Sequence, residues 1–221
     1  MRMTFAVLFL ARLPRTRLYL AAAALLVLAP CARALFGAPP TTQVRDGSML
    51  KPPPGHSVAM IEFYDLQCPL CASTNPTLMA AAKQYKIPWV RHDLLIPGHN
   101  WSRQAAVNAR FFDTKSATLG NDYRDYILTN QRSIETLPEL QQFTQRFADA
   151  HKVPLPFAID PTGKFAAEVQ ADVDLGRRIG VDHTPTIFIV AGGGHAQQYT
   201  EVPDPNRLFQ TIDQVLADTK R

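Results

Sequence analysis

The sequence predicts an α/β protein in which a mixed central sheet, flanked by helices, is interrupted by an inserted helical subdomain. Three observations carry that prediction. A β-branched and aromatic run at 58–64 is followed by helix-forming residues through 85 and a second strand-like run at 87–95, the composition of a strand–helix–strand unit. Residues 102–150 then show helical periodicity with no strand between them. Strand character returns only around Gly192-Gly193-Gly194, before a closing helical stretch.

The elements follow in order. Five of the 23 Lys and Arg lie before residue 35, where there is no Asp or Glu. They flank an apolar run at 18–29 that ends in Pro30 and an Ala32-Arg33-Ala34 cleavage pattern, so residues 1–34 read as a signal peptide, or as an anchor if uncleaved. The run is short for a membrane span. Leu28-Ala29-Pro30-Cys31 is similar to a bacterial lipobox, with Pro30 in place of a small residue. Beyond the leader, 18 basic residues face 19 acidic ones, which removes the charge excess that nucleic-acid binding requires. Residues 35–55, rich in Pro and polar groups, read as a tether.

The fold is expected to start at residue 56, and its first part to run to 98. Strand 58–64 is almost wholly apolar, as befits a strand covered on both faces, and Glu62 is its one ionisable group. The helix at 72–85 carries Pro76, which predicts a kink. With the strand at 87–95 it forms a unit whose crossover should be right-handed. The insertion spans 99–155 and holds helices at 102–112, 121–129 and 137–150; the last has Leu140, Phe143, Phe147 and Ala150 in 3,4,3 spacing. Residues 156–221 form the second part of the sheet domain: a helix at 163–179 stopped by Gly180, strands at 186–190 and 197–202, and a helix at 204–219.

Chemistry concentrates at Cys68-Pro69-Leu70-Cys71. Cys68 sits where a strand passes into a helix, and Pro69 suits a first turn whose N–H groups are unpaired anyway. Those free N–H groups and the positive end of the helix favour a thiolate. The spacing lets the Cys71 sulfur resolve a mixed disulfide on Cys68. Once the leader is removed, these are the only two of three cysteines that remain, so the pair reads as a reactive centre and not as a disulfide scaffold. Two alternatives stand beside it. Half of a zinc site has no second half here, since the six His show no paired ligand spacing, and an inert buried pair is at odds with a helix N-terminus. Pro185, before a central strand, must sit at a strand start or bulge; a cis Thr184–Pro185 bond would accommodate it, and an ordinary turn proline is the other reading.

Taken together, strand, Cys-Pro-x-Cys, helix, helical insertion, then Gly180-Val181-x-x-Thr184-Pro185-Thr186 leading into a hairpin resembles a DsbA-like member of the thioredoxin superfamily, from residue 57 to the C-terminus. Glu62-Phe63 four residues before the Cys-Pro-x-Cys motif adds weight. The resemblance implies a thioredoxin fold with Cys68 as exposed nucleophile, Cys71 as buried resolving thiol and Pro185 as the cis-proline facing them. Pro69, Leu70, His183 and Thr184 would meet the substrate, Thr184 through its backbone, and the insertion would cap the site. Glu62 occupies the place of a buried acid that relays the Cys71 proton; the other reading is a strand-edge glutamate reaching solvent. His183 either faces the sulfurs or is a solvated loop residue. Trp101, Phe111 and Phe112 either line a peptide groove or form the insertion's core. One departure is Leu70, where strong oxidants of the family carry His, so Cys68 should be less acidic and its disulfide less oxidising.

The reading is of an exported, periplasmic or extracytoplasmic thiol–disulfide oxidoreductase that oxidises cysteines of folding exported proteins. It needs no bound cofactor beyond the Cys68–Cys71 disulfide, and by resemblance a membrane quinone-linked oxidase restores it. The alternatives are a reductase or isomerase fed by a membrane donor, and a non-catalytic peptide- or metal-binding module. A glutathione-dependent enzyme on the same scaffold fits poorly with export and an intact Cys-x-x-Cys.

Overall fold

All seven residues of strand β1 (Val58–Tyr64) are buried, and the sheet is assembled around it. In the computed structural model, which describes residues 46–193 and 198–220, β1 pairs in parallel with β2 (Trp89–Asp93) and antiparallel with β3 (Thr186–Ala191), which pairs antiparallel with β4 (Tyr199–Glu201). The strand order is β2-β1-β3-β4. The helices are α1 (Pro69–Tyr85), α2 (Ser102–Asp113), α3 (Ala117–Asn130), α4 (Leu137–Ala150), α5 (Lys164–Ile179) and α6 (Leu208–Asp218). None among the described residues is long and apolar enough to cross a membrane. The leader and the first eleven residues of the tether lie outside the described residues.

Side chains alternate along β1, and each set meets its own layer. Val58 and Met60 pack against Leu78 and Ala81 of α1 and Leu208 and Ile212 of α6. Ala59, Ile61 and Phe63 pack against Ile179 and Val181 at the end of α5. The insertion, α2 to α4, has a core of Trp101, Phe112, Tyr123, Ile127, Leu140 and Phe147, with the rings of Phe112, Tyr123 and Phe147 in mutual contact at centroid distances of 4.7 to 5.2 Å. That core is continuous with Tyr64, Leu66, Cys68 and Cys71.

Local chemistry fixes the boundaries. The third helix starts at Ala117, four residues before its apolar pattern suggests, because the Ser116 hydroxyl caps it by accepting from Leu119 N at 3.0 Å. Thr136 and Glu139 form a capping box at α4, and Gly180, at φ 89°, closes α5. The stretch expected as one helix at 204–219 opens instead with a 3-10 turn, Pro205–Arg207, before α6. The strands are shorter than expected at 87–95 and 197–202, the second partly outside the described residues. The tether also meets the fold earlier than its composition suggests. Asp46 N donates to Ile179 O at 3.0 Å, Leu50 is buried among Ile61 and Val190, and a Cβ on Gly47 would lie 2.6 Å from the Tyr199 ring. Proline content there did not mark detachment from the fold.

Two arginines bolt the insertion down. Arg124 on α3 donates to Tyr64 Oη at 2.9 Å and to both oxygens of Asp113 at 2.7 and 2.6 Å. Gly120 makes room for that pair, since a Cβ there would fall 1.8 Å from Asp113 Oδ1. Arg110 on α2 meets Asp93 at 2.6 Å and also Asp172 of α5.

Candidate active site

The loop after β1 is held from three sides. Asp65, fully buried, accepts from Gln67 N at 2.7 Å and Ile96 N at 2.9 Å, while its carbonyl accepts from Cys68 N at 3.0 Å. Gln67 in turn accepts from Trp101 N at 2.9 Å and donates to Asn100 at 3.1 Å. From the turn after α3, the buried Gln131 amide donates to the carbonyls of Leu66 at 2.7 Å and Cys68 at 3.0 Å. The loop therefore presents Cys68 as the N-cap of α1, in extended conformation, with Pro69 at the first helical position. Pro76 lies inside the helix and leaves the Ala72 carbonyl without its helical donor.

Cys68 was expected to be exposed, yet it is only 8 % so, because the Thr184 carbonyl stands 3.4 Å from its sulfur and the insertion core closes round it. Cys71 is wholly buried, so of the two sulfurs Cys68 remains the one with access. The Thr184–Pro185 peptide is cis and carries Thr184 to the sulfur.

Electrostatics separate the two thiols. Cys68 is lowered to about 5, first by the hydrogen bond from the Cys71 thiol, against the cost of burial, then by the Thr184 side chain and the main-chain N–H groups of Cys71 and Leu70. The Thr184 hydroxyl is buried without a hydrogen-bond partner among the described residues, and an ionised Cys68 is placed to accept from it. Cys71 goes the other way: burial raises it well above its ordinary value, helped by its donation to Cys68 and the nearby Glu62 charge. Leu70 is 56 % exposed, and it is its backbone N–H that lowers Cys68.

Glu62 is 2 % exposed, which removes the solvent-reaching alternative. Its carboxylate accepts from Trp89 Nε1 at 3.1 Å. Burial pushes it up to about 7, against the Arg91 charge and the Trp89 hydrogen bond. Alternation along β1 puts Glu62 between Met60, which packs on α1, and Tyr64, which shares a cluster with Cys71. His183 does not share this burial; its ring is 59 % exposed and its Nδ1 lies 2.9 Å from Asp182. Phe111 and Phe112 belong to the insertion's core, and so does Trp101, whose indole donates to Ile134 O at 3.0 Å. Trp101 also walls a cavity of about 650 Å³ beside Pro69, with Gln67, Ala72, Pro76 and Leu128.

Four residues near the sulfurs escaped the sequence reading: Gln131, Trp89, Arg91 and Asp125. Nothing marks Gln131 or Asp125 among the polar positions of their helix and turn. For Arg91 there was a signal, a basic residue inside a short strand, but an edge strand with one wet face gives the same pattern.

The geometry equips one end of α1 for thiol–disulfide exchange: an acidic thiol with some access, a second thiol held protonated in the core, and a carboxyl that titrates near neutrality beneath them. The family model described as Thioredoxin matches residues 54–213. No curated protein matches the sequence. Among solved structures, the chain is similar to DsbA2 of Pseudomonas aeruginosa (18 % identity, 75 % of this chain and 92 % of that one, TM-score 0.54). It is also similar to the thiol-disulfide exchange protein alpha-DsbA2 of Wolbachia pipientis (20 %, 75 % and 85 %, TM-score 0.57) and to oxidised BdbD of Bacillus subtilis (15 %, 80 % and 96 %, TM-score 0.61). At these identities the likeness establishes the fold, a thioredoxin sheet with a helical insertion of the DsbA type.

Proposed function

The chain belongs to the thioredoxin family, and from that premise we propose that it is an exported thiol–disulfide oxidoreductase that oxidises cysteines of extracytoplasmic proteins. The observation that carries this reading is the placement of two cysteines at the head of α1, Cys68 at its N-cap with the Thr184 carbonyl 3.4 Å from the sulfur and Cys71 wholly buried, an arrangement that lowers Cys68 to about 5 and raises Cys71. A substrate thiolate attacks Cys68 Sγ and the Cys68–Cys71 bond breaks. Cys71 leaves as a thiolate and takes the proton of Glu62. A second substrate thiolate attacks the substrate sulfur of the mixed disulfide and expels Cys68 as a stable thiolate. The substrate loses two electrons and the enzyme gains them. Thr184, with its backbone beside Cys68, aligns the substrate segment by strand addition, while Pro69 and Leu70 face it from the helix end. The redox group is the cysteine pair itself, and reoxidation falls to a membrane quinone-linked thiol oxidase. The basic and apolar leader at 1–34 supports export.

Direction of catalysis turns on how strongly the Cys68 thiolate is stabilised, because what stabilises the dithiol makes the disulfide more oxidising. A thiol near 5 stands between about 7 in thioredoxin and about 3.5 in the strongest oxidants. The expected reduction potential, from equilibration with glutathione buffers, is therefore clearly above the thioredoxin value of about −270 mV. A value at or below it would assign the protein to reduction or isomerisation. Cys68→Ser should abolish exchange and Cys71→Ser should accumulate mixed disulfides; retained dithiol oxidation by Cys68→Ser would overturn the assignment.

A further inference from the structure

In the parallel register of β1 and β2, Met60 lies beside Trp89 and Glu62 beside Arg91, so all four side chains share the face that packs under α1. They form a chain of contacts that ends in the insertion. The Trp89 indole donates to Glu62 at 3.1 Å, and the Arg91 guanidinium lies over the Trp89 ring, 3.5 Å from its centroid. Arg91 Nη2 donates to Asp125 Oδ1 of α3 at 2.7 Å. The same oxygen accepts from Asn75 Nδ2 at 3.2 Å, and Asn75 stands one helical turn beyond Cys71.

The arrangement carries a cost in stability. Arg91 is 9 % exposed and Asn75 4 %, and each keeps a buried polar atom, Arg91 Nη1 and Asn75 Oδ1, without a partner among the described residues. Such groups cost stability, and apolar residues of similar volume would pack under a helix at no such cost. We propose that Arg91 and Asp125 are positioning residues for Glu62: Asp125, from the insertion, holds Arg91 on the Trp89 ring, and Arg91 so held orients the indole and sets the charge that Glu62 experiences. The inference rests on the proposed exchange reaction and on Glu62 as the group that gives a proton to Cys71 and takes it back.

The groups that face Glu62 act in a definite balance. From β2 come the Arg91 charge and the indole N–H, both favouring the carboxylate; from α3 comes Asp125, which disfavours it; from the cysteine motif the Cys68 thiolate disfavours it too, and Cys71 feels Glu62 in return. Removing Asp125 leaves Arg91 free to act on Glu62 undiminished, whereas removing Arg91 leaves Asp125 acting alone.

The test is a carbon-13 titration of the Glu62 carboxyl by NMR in the reduced full chain, with the pH profile for release of a mixed disulfide from Cys68 as second readout. Asp125→Asn should lower the Glu62 midpoint by about one pH unit and Arg91→Gln should raise it by about as much, with Arg91→Lys restoring most of the shift. The release profile should move with the midpoint in each variant. Midpoints unmoved in both variants, or moved in the same direction, would overturn the proposal. Asp125→Asn keeps the shape of the side chain, so it decides alone should Arg91→Gln fail to fold. The titration needs no turnover, so a wild-type protein that exchanges no disulfide would refute the function without touching this result.

Discussion

At one end of β2, Arg110 lies between Asp93 and Asp172, and His92 Nδ1 meets Asp172 at 2.7 Å; at the middle of the strand, Arg91 meets Asp125, and Glu62 has the neutral Trp89 indole as its hydrogen-bond donor. Both clusters are at least partly withdrawn from solvent, yet they treat their carboxylates differently. Burial pushes Asp172 up, but His92, Arg110 and the Asp93 N–H outweigh it and hold it below its ordinary value. Burial pushes Glu62 up as well, and there the opposing charge, shared with Asp125, leaves it at about 7. Full compensation locks an ionisation state and so builds a clamp between β2, α2 and α5. Partial compensation leaves a group able to change state near neutrality, which is what a proton carrier requires.

The strongest way to break this contrast is Arg110→Met. It strands Asp93 in the interior and should cost about 3 kcal/mol by chemical denaturation, with the Glu62 titration unmoved. A cost below about 1 kcal/mol would mean that the clamp is no clamp. Glu62→Gln should do the reverse, slowing the Cys71-dependent step about a hundredfold near pH 7 in stopped-flow exchange without loss of stability. The sign of its pH effect follows from linkage. Because the folded Glu62 titrates above its unfolded value, its contribution is fully present below about pH 4.5 and declines as pH rises to about 7, by about 3 kcal/mol in all. Denaturation of wild type and Glu62→Gln across that window should diverge accordingly. Reduced Cys68 carries the opposite slope: its depressed folded value adds stability above its unfolded value near 9 that is lost as pH falls to about 5, so the Glu62 comparison belongs in a Cys68→Ala background. The smallest effect is expected of Trp89→Phe, which removes one donor to Glu62 and should raise its midpoint by less than about one unit, since a single hydrogen bond contributes about 1 kcal/mol.

Much of the fold was legible because period and punctuation agreed: β1 and α4 fall at their expected limits, and Gly180 stops α5. Cys68, Cys71 and Glu62 were legible because they stood out as residue types in their setting, two cysteines at a helix start and an acid in an apolar strand, while Thr184 was singled out only by the family resemblance that Pro185 completes. Arg91, Asp125 and Gln131 were not. Their roles depend on which of several polar positions a tertiary contact selects, Asp125 across from Asn75 and Gln131 beneath the Cys68 carbonyl, and one-dimensional patterns carry no such choice. The acidity of Cys68 had a similar source. The N–H groups at the helix end were legible, whereas the leading contribution, the hydrogen bond from the Cys71 thiol, depends on how the two sulfurs are placed.

The insertion's aromatic core and the two sulfurs form a single packed cluster, and the Gln131 amide ties the far end of that cluster to the main chain of Cys68. The redox couple is thus a constituent of the interior, and the insertion is no detachable accessory to the sheet. A bond that forms or breaks between Cys68 and Cys71 changes how that interior fits together. The melting temperatures of the oxidised and reduced forms then report the reduction potential in another currency, and any substitution that repacks Phe112, Tyr123 or Phe147 retunes the couple from a distance.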